Sequence, residues 1–67
     1  MDKITLAAAR VNAGLRLEEA AAELGRAPAT LSAWENFISE PKISDAQKLA
    51  NIYGLDVKNI AWIKEDK

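Results

Sequence analysis

The chain has no cysteine and no histidine. Disulfide staples are excluded, and so are the usual zinc ligand sets. Catalysis would need clustered carboxylates, or an activated lysine or serine beside a pocket. The acidic residues are instead scattered over helix starts and solvent faces, so neither an enzyme nor a cofactor or metal is expected. No apolar run approaches the roughly 18 residues of a membrane span. The first residues, Met1-Asp2-Lys3, lack the charged and apolar regions of a signal peptide, and the expected location is cytoplasmic. Neither charge sign dominates. The formal net charge is −1, which counts mildly against nucleic acid, because phosphate binding needs a positive footprint. The position of charge matters more than its sum. Arg10, Arg16, Arg26 and Lys42 all fall in the first two thirds of the chain.

A chain of 67 residues suffices for one domain and one small core, burying only about 60% of its unfolded surface. β-branched residues are sparse, and no stretch alternates with period two over a strand's length, so the class is all-α. The few glycines and prolines punctuate the helices. Helix one is expected over 4–13, ending at Gly14 as a left-handed cap. Helix two covers 17–24, with Glu18 and Glu19 in its first turn, where carboxylates suit the helix dipole. Gly25 ends it. Helix three starts at Pro28, a residue suited to the first helical position, and runs to Asn36. Pro41 bars helix in the loop 37–42. Ser44-Asp45-Ala46-Gln47 reads as a capping box opening helix four, which ends at Tyr53-Gly54. Helix five, capped by Asp56, runs to Ile63. Leu6, Ala9, Ala20, Ala21, Leu24, Leu31, Trp34, Ile43, Ala46, Leu49, Ala50, Tyr53, Leu55, Val57 and Ile60 form the expected core.

The informative stretch is 10–36. Two short helices flank a tight turn, Gly25-Arg26-Ala27. Small residues at Ala20 and Ala21 allow close approach, and Leu24 and Leu31 lock the crossing. This is a helix-turn-helix layout, in which the second helix enters the major groove. The combination of Arg10, Gly14-Leu15, Gly25, Leu31-Ser32, Trp34-Glu35-Asn36 and Pro41 resembles the Cro/C1-type family of phage repressor and Cro proteins, also called the xenobiotic-response-element type. The resemblance runs without gaps through this stretch and on through Leu49-Ala50 and Tyr53-Gly54-Leu55 to Ile60.

The resemblance implies a five-helix, lambda-repressor-like DNA-binding domain. It also implies a transcriptional regulator of prophage Cro or repressor kind that binds double-stranded DNA as a homodimer. In relatives the arginine matching Arg10 pairs with the glutamate matching Glu35; otherwise these are two unrelated surface charges. Asn36 matches a position whose backbone amide holds a phosphate. Relatives follow it with a left-handed glycine, whereas this chain has Phe37. Either the turn differs or Asn36 takes the left-handed conformation itself. Phe37-Ile38 then caps Trp34 or contacts a partner.

Relatives commonly place glutamine, arginine, lysine or serine at the base-reading sites. Taking Leu31 as the inward direction, a turn of about 100° per residue points Ala29, Ser32, Ala33 and Asn36 outward, with Pro28 at the tip. Pro28, Ala29 and Ala33 make no bidentate contact to a base. They can touch thymine methyls, while Thr30 and Ser32 can donate to bases or phosphates. Leu17 stands where the family usually has a phosphate-bridging glutamine. Arg16 replaces the usual serine or threonine cap, which is worth about 1 kcal/mol; it is a phosphate contact or a solvated charge. Ser39 and Lys42 complete the expected phosphate contacts. Trp62 and Ile63 form a dimer contact or close the core beneath helix one. A protein-interaction module of antitoxin or anti-repressor kind, using Phe37, Ile38, Trp62 and Ile63, is the alternative function. No small-molecule ligand is evident.

Overall fold

The computed structural model describes residues 3–64; Met1 and Asp2, on which the signal-peptide reading partly rests, lie outside them. The elements in chain order are β1 (Ile4–Thr5), α1 (Leu6–Asn12), α2 (Leu17–Leu24), α3 (Pro28–Glu35), α4 (Ile43–Tyr53), a single 3-10 turn (Val57–Asn59) and β2 (Ile60–Ala61). The helices gather round Leu6, Leu31, Leu49 and Ile60, all four fully buried. Ala20 and Ala21 are also sealed from solvent. Their single methyl groups let α2 lie close against its neighbours, where a longer side chain would push them apart.

Helix α1 begins later than the apolar pattern predicts. Thr5 caps it, its Oγ1 accepting the Ala8 N–H at 3.1 Å, and Ile4 and Thr5 are extended. They pair in parallel with Ile60 and Ala61. This pairing replaces the fifth helix expected over 56–63. The Asp56 carboxylate accepts the Lys58 N–H at 3.1 Å, closing one short turn. Ile60 then adopts φ −110° and ψ 135°. Extended backbone brings the fully buried Ile60 into the core and gives its peptide groups a partner in β1, which a short isolated helix would not do.

Helix α4 starts one residue before the expected cap. The Ala46 N–H donates to the Lys42 carbonyl at 2.8 Å, so Lys42 is the cap and Ser44 lies inside the first turn. Ile43, expected in the core, is 81% exposed, because the first helical position it occupies faces water.

Among the described residues, α1 to α4 all close with the same pair of hydrogen bonds, the Schellman arrangement. After α2, Arg26 N–H reaches the Ala21 carbonyl and Gly25 N–H the Ala22 carbonyl, at 3.0 and 3.1 Å. After α3, Ile38 N–H reaches Ala33 and Phe37 N–H reaches Trp34, at 2.9 and 3.2 Å. The left-handed position after α1, α2 and α4 is glycine, but after α3 it is Phe37, at φ 60°. Asn36 does not take that role; its backbone stands at φ −94° and ψ 8°. A side chain in the left-handed region costs about 1–2 kcal/mol, offset here by two backbone hydrogen bonds and by the partial burial of Phe37.

Candidate nucleic-acid interface

The candidate interface is built from α2, the Gly25-Arg26-Ala27 turn and α3. Leu24, Leu31 and Trp34 are buried and fix α3 against the rest of the molecule. Two ion pairs hold it further. Arg10 Nε donates to Glu35 Oε2 at 2.7 Å and Nη2 to Oε1 at 3.3 Å. Arg10 Nη1 also donates to the Leu15 carbonyl at 2.9 Å. One guanidinium thus ties the end of α3 to α1 and to the loop before α2. The two side chains are only 17% and 9% exposed. Hydrogen bonding to Glu35 raises the Arg10 pKa above its ordinary value, against the opposing effect of burial.

The second pair escaped the sequence reading. Arg26, in the turn, reaches Asp45 in the first turn of α4, with Nη2 at 3.0 Å from Oδ2 and 3.2 Å from Oδ1. Asp45 is buried and Arg26 is about half exposed. The pair fastens the tip of α3 to α4. No local pattern links two residues 19 positions apart; the available signal was a cation in the turn and an acid opening a later helix.

The outer face of α3 carries the predicted base-reading residues. Pro28, Ala29 and Asn36 are exposed, and Thr30, Ser32 and Ala33 are half-buried. The Asn36 amide is folded back: Nδ2 donates to the Ser32 carbonyl at 2.8 Å and lies 3.3 Å from Ser32 Oγ. Arg16 is exposed at the start of α2. Its missing hydroxyl cap is compensated from the other direction, since Glu19 Oε1 accepts the Arg16 N–H at 2.8 Å. Leu17 is half-buried and packs on the core, so little of it remains for a ligand. Ser39 and Lys42 are exposed.

The four residues considered for a partner contact divide. Ile38 and Ile63 are 77% and 61% exposed. Phe37 is half-buried. Trp62 packs on the core and donates its indole N–H to the Val57 carbonyl at 2.9 Å, which closes the C-terminal end of the core. Pro41, Ile43, Ala46, Val57, Trp62 and Ile63, with Glu40, line an apolar groove of about 210 Å³. On the core side, the Tyr53 hydroxyl is buried without a hydrogen-bond partner among the described residues, and burial pushes its pKa up to about 12.

A helix-turn-helix family model of the Cro/C1 type matches residues 6–58. The chain belongs to the Cro/C1-type helix-turn-helix family. The match begins at Leu6, the first residue of α1, and ends within the 3-10 turn, so it takes in α1 to α4. The family is one of DNA-binding domains rather than enzymes, and DNA is the partner it supports. No match was found among curated proteins or solved structures. Among the described residues no helix is long and apolar enough to cross a membrane.

Proposed function

We propose that this Cro/C1-type domain is a sequence-specific transcriptional regulator, of phage Cro or repressor kind, acting in the cytoplasm as a single domain over residues 1–67. It places α3 in the major groove of a two-fold operator as a homodimer. The observation that carries this reading is the contrast across α3. The inner side is locked by buried Leu31 and Trp34 and by the Arg10–Glu35 pair, while the outer side from Pro28 to Asn36 is left open to a ligand. Arg16, Ser39 and Lys42 hold phosphates; the Asn36 backbone N–H, expected to join them, donates instead to the Ser32 carbonyl at 3.0 Å. Pro28, Ala29, Thr30, Ser32 and Ala33 meet the groove floor. The groove beside Ile43 and Ile63 favours self-association on that side.

The test is selection of random duplexes on the purified domain at low and physiological salt, with the oligomeric state measured alone and on the enriched duplex. Enrichment of a two-fold sequence whose affinity falls with salt supports the regulator. The exposed Ile38, Ile43 and Ile63 favour one other reading, a protein-interaction module on the same fold. No enrichment at either salt would turn the assignment to that module.

A further inference from the structure

Helix α3 spans Pro28-Ala29-Thr30-Leu31-Ser32-Ala33-Trp34-Glu35. None of these residues is Arg, Lys, Gln or Asn, the side chains that make bidentate hydrogen bonds to guanine or adenine in the major groove. The polar groups that border it are already engaged. Asn36 follows directly, but a bidentate contact with adenine needs its Nδ2 as donor, and Nδ2 faces the Ser32 carbonyl and Oγ. Arg26 precedes the helix, and its guanidinium is held on the Asp45 carboxylate. Glu35 is held by Arg10. Beyond the Thr30 and Ser32 hydroxyls, each able to make only a single hydrogen bond, the surface that α3 can lay on base edges is therefore the ring of Pro28 and the methyl groups of Ala29, Ala33 and Thr30.

The major groove offers one apolar feature that distinguishes bases, the C5-methyl of thymine. Because Ala29 and Ala33 are short, the helix backbone can approach the groove floor closely enough to cover such methyls. We infer that the domain selects its operator by packing Ala29 and Ala33 on thymine C5-methyl groups, with no bidentate base contact from α3. This rests on the regulator reading and specifies what it recognises: duplex DNA with thymines at defined positions of each half-site. Cytosine presents a donor where thymine presents an acceptor, yet 5-methylcytosine carries the same methyl. A methylated cytosine in place of a contacted thymine recovers part of the affinity that plain cytosine loses.

The experiment uses the full chain and the duplex enriched by selection. Each thymine of the half-site is replaced in turn by uracil, which removes the methyl and leaves every hydrogen-bonding group in place. Covering one methyl is worth about a threefold to fourfold change in affinity. The expected result is a loss of about that size at one or two positions per half-site, about tenfold or more when both half-sites are changed. The Ala29→Gly variant should bind the thymine operator more weakly while losing its discrimination between thymine and uracil at one position. Its thermal unfolding midpoint, measured beside the parent, separates lost contact from lost fold. An operator that binds equally well with uracil throughout would overturn methyl readout and leave the regulator standing. Failure to enrich any duplex would overturn the regulator reading, and methyl readout with it.

Discussion

The two sides of α3 are built from different materials. Its inner side presents Leu31, Trp34 and Glu35, the first two buried and the third clasped by Arg10. Its outer side presents Pro28, Ala29, Ser32 and Ala33, short residues that are exposed or half-buried. Large buried side chains and a shielded ion pair fix where the helix sits. Short outer residues leave its recognition surface free to change without disturbing that position. Stability and recognition therefore occupy opposite sides of one eight-residue helix, and substitutions should separate them.

The sharpest way to break this separation is on the inner side. Glu35→Ala leaves the Arg10 guanidinium shielded from water with only the Leu15 carbonyl as partner. Removing one member of a largely buried pair costs about 3 kcal/mol, a large share of a small domain's stability. Urea denaturation should show the loss. Replacing both residues, as Arg10→Met with Glu35→Leu, should restore most of it, because no charge is then left stranded. The Arg26–Asp45 pair should behave asymmetrically. Arg26→Ala strands the buried Asp45 carboxylate and should cost about 2 kcal/mol. Asp45→Ala leaves a cation that is half in water and screened, and should cost about 1 kcal/mol. Equal losses from the two would mean that Asp45 is reached by solvent.

The helix-turn-helix half was legible from local chemistry. Glycines at left-handed helix ends, small residues at Ala20 and Ala21, and the apolar spacing from Leu24 to Trp34 each determine structure through their near neighbours. The region after Gly54 was less so. Val57 and Ile60 fit a short helix by spacing, but Ile60 is governed by Ile4, 56 positions earlier, whose backbone it pairs with. The Arg26–Asp45 contact failed to show for the same reason, since only tertiary packing brings these residues together. Phe37 is the opposite case. The residue type argued against a left-handed turn, yet the hydrogen bonds closing α3 hold it there. At the interface, the outward positions followed from helical geometry. The folding back of the Asn36 amide onto Ser32 did not, because it depends on a rotamer.

Tyr53 sharpens the comparison from within the core. Its hydroxyl is buried without a partner among the described residues, an arrangement that costs free energy with no visible return. Tyr53→Phe should raise stability by about 1 kcal/mol, or about 4–8 °C in the thermal midpoint of a domain this size. The pH dependence has a definite sign. The folded-state pKa is pushed up to about 12, above the ordinary value of 10, so the folded protein keeps the proton that the unfolded chain gives up first. The stability linked to this proton is complete below about pH 10 and falls as pH rises toward 12. The difference between parent and Phe variant should therefore widen above about pH 10. A constant difference would place the hydroxyl in contact with water.

The smallest effect on the fold is expected on the outer side, at Arg16. Its side chain is exposed and forms no ion pair among the described residues. What it does for α2 passes through its backbone N–H, which Glu19 accepts and which any non-proline residue keeps. Arg16→Ala should leave the urea midpoint where it is. Its consequence should appear only on DNA: weaker binding to every duplex, specific or not, with the slope of log affinity against log salt shallower by about one per protomer. If selectivity among duplexes changed while the slope stayed fixed, Arg16 would be reading bases rather than phosphate. The recognition surface would then extend beyond the short side chains of α3 onto the start of α2.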